Sequence, residues 1–178
     1  MTEQILKHLH HWLGCSKCGL CEHRRMMVLG EGPLPADVMF VGIGPGTSED
    51  MMGKPFVGPS GRILREAIKD AAKLSGCAPS VFLTNLVACH PTDKSRGPNR
   101  DPSAEEVLAC WPRLQETEQV VKPSAIILLG DIVKKYAGKH FKDAVHIFHP
   151  AFVVRRGGFG STEYRKLVRE IAEVFENV

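Results

Sequence analysis

Four short, mainly apolar stretches, residues 38–43, 81–87, 125–130 and 144–148, constrain this chain more than anything else in it. Each is too short for a core helix and shows little polar alternation, so each reads as a β-strand buried on both faces. Helical stretches separate them. Residues 61–75 carry Ile63, Leu64, Ala67, Ile68 and Ala71 in helical period, with Ser60 placed to cap the helix. Ser103 and Glu106 form a capping box for a helix running to residue 121. A short helix is expected over 131–138, and Ser161 or Thr162 caps a last one to 176. Residues 3–13 read as an amphipathic helix with Ile5, Leu6, Leu9, Trp12 and Leu13 on one side. Apolar strands alternating with helices define an α/β fold: a three-layer sandwich whose central, mostly parallel four-stranded sheet is flanked by helices. Residues 1–178 read as one domain, with an N-terminal appendage over about residues 1–30.

The chain has 178 residues, 43% hydrophobic and 24% charged, which suits a packed core and excludes a disordered chain. No apolar run reaches the roughly 18 residues of a membrane-spanning helix, and the N-terminus has no secretory-signal pattern, so a cytoplasmic location is expected. A net charge of +3 neither demands nor forbids a nucleic-acid partner.

In parallel α/β sheets the functional loops lie beyond the carboxyl ends of the strands. The three most unusual segments fall there: 42–60, 88–102 and 149–160. Gly42-Ile43-Gly44-Pro45-Gly46 follows a strand but has neither the spacing of a dinucleotide fingerprint nor the Gly-Lys-Ser/Thr ending of a phosphate loop. The glycine- and proline-rich stretch from Gly44 to Pro59, read as a loop, adds Glu49, Asp50 and Phe56. The phenylalanine either plugs the core or stacks on a flat base. Asn85, in an apolar strand, needs hydrogen-bond partners from a structural network or from the edge of a ligand. His149-Pro150 closes the last strand, and Arg155 and Arg156 beside two glycines suit phosphate contact.

Six cysteines are present. Cys15 and Cys18 form one C-x-x-C, Cys21 follows, and Cys77, Cys89 and Cys110 stand alone. One close pair with two remote single ligands is compatible with a four-thiolate iron–sulfur site; the alternative is that the solitary cysteines are small buried hydrophobes.

Together these segments resemble the family 4 uracil-DNA glycosylases, the iron–sulfur branch of the uracil glycosylase superfamily. Five blocks match in order over nearly the whole chain. The pattern C-x-x-C-x-L-x-x-x-R is matched by Cys15, Cys18, Leu20 and Arg24. The block G-E-A-P-G, then E-D and G-x-P-F-V-G, is matched by Gly42 to Gly46, Glu49-Asp50 and Gly53 to Gly58. T-N-L-V-x-C is matched by Thr84 to Cys89. Asn99-Arg100, Pro102, Glu105 and Cys110 follow, and H-P-A-Y/F-x-x-R is matched by His149 to Arg155.

The resemblance implies a 4Fe–4S cluster on Cys15, Cys18, Cys89 and Cys110, with Cys21 and Cys77 ordinary thiols. It implies hydrolysis of the N-glycosidic bond of uracil flipped out of DNA, the start of base excision repair. Phe56 stacks on the base, Asn85 reads its edge, and Gly42, Ile43 and Gly44 line the pocket. His149 donates toward the uracil O2. Lys54, Ser60, Arg100 and Arg155 hold DNA, which the enzyme meets as a monomer.

One departure matters. Ile43 stands where the family's usual Glu is, and Gly44 follows where other branches place Asn. The water is then left to Glu49 or Asp50, or leaving-group stabilisation alone carries a slow reaction, or the pocket serves another damaged or modified base. A cluster-bearing DNA-binding protein without catalysis is the remaining alternative. No lysine stands in a nucleophile position, so strand cleavage is not expected. The segment 92–97, with Lys94 and Arg96, either tracks DNA or is a solvated loop.

Overall fold

The computed structural model describes residues 3–178, apart from the side chains of 4–6. The facing assigned to Ile5 and Leu6 lies outside the described residues. All four expected strands form: β1 (Val38–Gly42), β2 (Val81–Asn85), β3 (Ala125–Leu129) and β4 (Val145–Ile147). They pair in the order β2-β1-β3-β4, and every pairing is parallel. The helices are α1 (Glu3–Leu9), α2 (Thr47–Met52), α3 (Pro59–Ser75), α4 (Ala104–Val121), α5 (Asp131–Ala137), α6 (Ala151–Arg155) and α7 (Thr162–Phe175).

Alternation along the strands divides the core. Val38 and Phe40 of β1 point to one face, where they meet Leu64 and Ala67 of α3 and Leu167 and Ile171 of α7. Met39 and Val41 point to the other, with Leu9, Trp12 and Leu20 of the N-terminal segment and Leu114 of α4. All these side chains are buried, and burying each large apolar one contributes about 1.5–3 kcal/mol. The capping box of Ser103 and Glu106 forms, and Ser161 caps α7.

Three local expectations are corrected. Ser60 does not cap α3: the cap is Gly58, and Pro59 occupies the first turn. Proline there has no N–H to leave unpaired and its φ suits a helix, so the helix starts earlier. Residues 44–59 are not all loop: α2 forms inside them, with the Glu49 carboxylate accepting from Gly46 N–H at 3.1 Å. The 149–160 segment likewise contains α6, entered through Pro150. Among the described residues no helix is long and apolar enough to cross a membrane.

Candidate active site

The loops following β1, β2 and β4 enclose a cavity of about 430 Å³ at the carboxyl end of the sheet. Gly42 and Asn85 are paired residues at the ends of β1 and β2, so they lie side by side. A Cβ on Gly42 would stand 2.5 Å from Asn85 Oδ1 and 2.7 Å from Phe56 Cζ. The missing side chain is thus what lets the amide and the ring meet beneath the cavity. Phe56 holds a left-handed backbone, φ 54°, unusual for a bulky residue. Arg65 secures it: Nε donates to Phe56 O (2.9 Å), one Nη2 bond goes to Pro55 O (2.8 Å), and Nη2 also pairs with Glu31. Gly61 is obligatory here, because a Cβ would fall 2.1 Å from the Phe56 carbonyl carbon.

Asn85 is buried, yet among the described residues its side-chain amide has no hydrogen-bond partner. Its two-sided donor and acceptor pattern is left for whatever occupies the cavity. His149 arrives from the end of β4. Its Nδ1 accepts from Ala151 N–H at 3.1 Å, so the neutral ring carries its proton on Nε2. Burial, helped by the positive charge of Arg155, pushes the His149 pKa down to about 4. The imidazole is therefore neutral near pH 7 and is a donor at Nε2.

The carboxylates are committed elsewhere. Glu49 lines the cavity, but Oε1 accepts from Val57 N–H (2.8 Å) and Gly58 N–H (2.7 Å), and Oε2 from Gly46 N–H. Asp50 does not line it: its Oδ1 accepts from Arg25 N–H (2.9 Å) and Met26 N–H (3.4 Å). Ile43, Gly44, Ser60 and Arg100 also line the cavity. Arg100, however, donates to both oxygens of Glu106 (2.9 and 2.7 Å) and to Asp93 (2.6 Å), so its guanidinium braces the loop. Lys54 and Arg155 are exposed and lie outside the cavity lining. Asn99 and Asp101, which were not among the candidates, line the cavity as well. The fully buried His90 lies 2.7 Å from Asn99 Oδ1 through Nε2; an amide oxygen only accepts, so His90 donates and fixes the amide. The Asn99-Arg100 pair was visible in the sequence, but not that its loop folds over the cavity.

Cys15, Cys18, Cys89 and Cys110 line one common recess against the N-terminal segment, whereas Cys21 and Cys77 do not. Burial pushes the Cys89 thiol up to about 11, against the lowering effect of Arg24, and raises Cys18 as well. Arg24 donates to Cys15 O (2.7 Å) and Cys89 Sγ (3.4 Å), and Arg113 reaches Cys110 Sγ at 3.8 Å. Arg113 is completely buried and its Nε has no partner. Among the described residues no three His, Cys, Asp or Glu side chains are placed to hold a single ion. A four-iron cluster interposes its own atoms between its thiolates, so its ligands stand farther apart. Four convergent sulfurs flanked by two guanidiniums suit such an anionic group: it would keep the thiols ionised despite burial.

Fold and site together define a class: a parallel α/β domain whose cavity, beyond the carboxyl ends of its strands, offers an aromatic ring, an amide and a neutral imidazole. Residues 29–172 match the family model of the Uracil DNA glycosylase superfamily. The type-4 uracil-DNA glycosylase of Thermotoga maritima is 31% identical over 176 residues, covering 89% of this chain and 86% of that one. That of Saccharolobus solfataricus is 44% identical over 116 residues, 65% of this chain and 50% of the relative. That of Pyrobaculum aerophilum is 43% identical over 131 residues, 73% of this chain and 63% of the relative. The chain thus spans about half to two thirds of these last two relatives. It belongs to the uracil-DNA glycosylase superfamily, among the type-4 members.

Proposed function

We propose that the protein hydrolyses the N-glycosidic bond of uracil flipped out of DNA and so begins base excision repair. The convergence of Phe56, the open amide of Asn85 and the Nε2–H of His149 on one cavity carries this reading. The relatives' names favour uracil over another altered base, and over a protein without catalysis.

The flipped uracil stacks on Phe56. Asn85 Oδ1 accepts from the uracil N3–H and Nδ2 donates to O4. Cytosine presents the opposite pattern, an acceptor at N3 and a donor at C4, and leaves that amide mismatched. As the C1′–N1 bond breaks, its electron pair leaves on the base and negative charge gathers at O2. The His149 Nε2–H stabilises that charge without transferring its proton. Water adds its oxygen to C1′ and gives up a proton to solvent. An oxocarbenium-like sugar needs a placed water more than a strong base. Ile43 places none, and the Glu49 carboxylate is spent on three backbone N–H groups. We assign the water to the Asn99 amide, which His90 holds in place. Lys54, Ser60 and Arg155 hold phosphates, positioning DNA without reading its sequence. Cys15, Cys18, Cys89 and Cys110 would hold a 4Fe–4S cluster whose service is structural, fastening the N-terminal segment to the loop after β2.

The test is release of free uracil from an oligonucleotide carrying one labelled uracil. Prompt release by the intact protein, absent with cytosine, is the expected result. No release from either, by a folded protein with its iron in place, overturns the reading.

A further inference from the structure

Arg113 is unusual among the arginines of this chain. Its relative exposure is 0%, and among the described residues no carboxylate lies within ion-pair distance. Nη1 donates to Thr84 Oγ1 (3.0 Å), and Nη2 to Asn85 O (2.5 Å) and Leu86 O (3.0 Å). Nη2 also lies 3.8 Å from Cys110 Sγ, one helical turn back on α4, and Nε has no partner. A buried cation facing only carbonyls, a hydroxyl and a thiol lacks its counter-charge. The cysteine recess is the place that can supply it. The same Nη2 that lies near Cys110 Sγ grips the backbone of the residue whose amide faces the cavity. Thr84 passes the connection on, donating to Leu29 O at 3.0 Å.

We infer that Arg113 is a positioning residue that couples the thiolate-bound cluster to the cavity: the cluster's negative charge holds the guanidinium, and the guanidinium holds the end of β2 that presents Asn85. This rests on the cluster reading of the four cysteines. With the cluster gone, the charge that pins Arg113 is gone, and the turn from Asn85 to Ala88 loosens although the sheet's other face stays packed.

Two arms test it. In the intact protein, iron and sulfide content and the visible absorption are measured first; their absence would defeat the cluster reading itself, and the coupling with it. With the cluster present, iron is stripped by a chelator and amide hydrogen exchange is followed. Faster exchange over residues 85–88, with α3 and α7 still protected, is expected; unchanged exchange there, or equal loss everywhere, overturns the coupling. The second arm compares Arg113→Met and Arg113→Lys. Removing a cation beside an anionic cluster disfavours its more negative, reduced form. The reduction potential of Arg113→Met therefore moves down, and its iron is lost faster to the chelator. Arg113→Lys restores the potential by keeping the charge. It does not restore KM for uracil-DNA, because a single ammonium cannot hold the two carbonyls and the Thr84 hydroxyl together as the fork does. If Arg113→Met keeps the native potential and rate of iron loss, Arg113 is a packing residue and the inference fails. Should Arg113→Met not fold, the stripping arm on the native chain decides alone.

Discussion

The strand ends and the loop that walls the same cavity use polar groups in opposite ways. Asn85 and His149 are delivered by β2 and β4, whose backbones the parallel ladder already fixes. Their amide and Nε2–H are consequently left open. The loop from Gly44 to Gly58 has no ladder, and Glu49 satisfies three of its N–H groups. Across the cavity Arg100 braces the segment 93–106 from the donor side, donating to the Asp93 and Glu106 carboxylates and to Asp101 O. Charge is consumed in ordering irregular backbone, and neutral groups remain for the ligand. That division suits an uncharged base, whose edge is read by hydrogen bonds and whose charge appears only as the bond breaks.

Breaking the division at its working side has the largest effect. If the proposed function holds, His149→Ala removes the donor to the developing charge and is expected to lower kcat by about 10²–10³-fold, with Tm nearly unchanged. Single-turnover uracil release together with thermal melting checks it, and a loss of stability matching the loss of rate would put His149 on the holding side. Next is Gly42→Ala. The new Cβ would collide with both Asn85 Oδ1 and Phe56 Cζ, costing about 1–3 kcal/mol as overpacking. KM should rise more than kcat falls, since the proposed function has both displaced groups binding the base. Glu49→Gln comes third. One of its two acceptor oxygens becomes a donor facing N–H groups, with a stability cost of about 1–3 kcal/mol. Activity at low temperature, where the variant is folded, should fall less than tenfold. A kcat loss as large as that of His149→Ala would give Glu49 the water and undo the comparison.

The working side was also the more legible in the sequence. Asn85 stands out as the amide inside the apolar run 81–87 and His149 as the polar residue that follows the run 144–148, although only the structure ends β2 at Asn85. The holding side was not legible, since its partners are backbone N–H groups set by folding. Nothing in the chain announces that Glu49 meets Val57 and Gly58. Helices α2 and α6, of six and five residues, are too short to show a period. Nothing in the sequence singles out Arg113, one residue past Pro112; only the packing of α4 against the end of β2 shows it buried. Asp50 and Arg100 were marked by motif blocks for the site, but the structure commits the first to the N-terminal segment and the second to Glu106.

The smallest effect is the one of pH, and it sharpens the comparison because it separates a neutral donor from a titrating acid. With its pKa pushed down to about 4, His149 keeps one protonation state across the neutral range. The rate of uracil release should therefore be flat from pH 8 to about 5.5, with no inflection near the ordinary histidine value of about 6.5. Closer to pH 4 the ring gains a proton on Nδ1, where Ala151 N–H now donates; two donors then face each other, the ring turns, and the rate falls. Stability carries the same sign. The unfolded chain takes up this proton near pH 6.5 and the folded chain only near 4. This group therefore costs no stability above 6.5 and lowers it as pH falls through that window. His149→Ala should flatten that part of the stability profile. Arg155→Ala, which removes the second cause of the depression, should move the acid limb of the rate profile upward while leaving it below 6.5, because burial is the larger cause. An inflection of the native enzyme at 6.5 would mean that His149 works as a titrating acid, and the neutral-donor side of the comparison would fall.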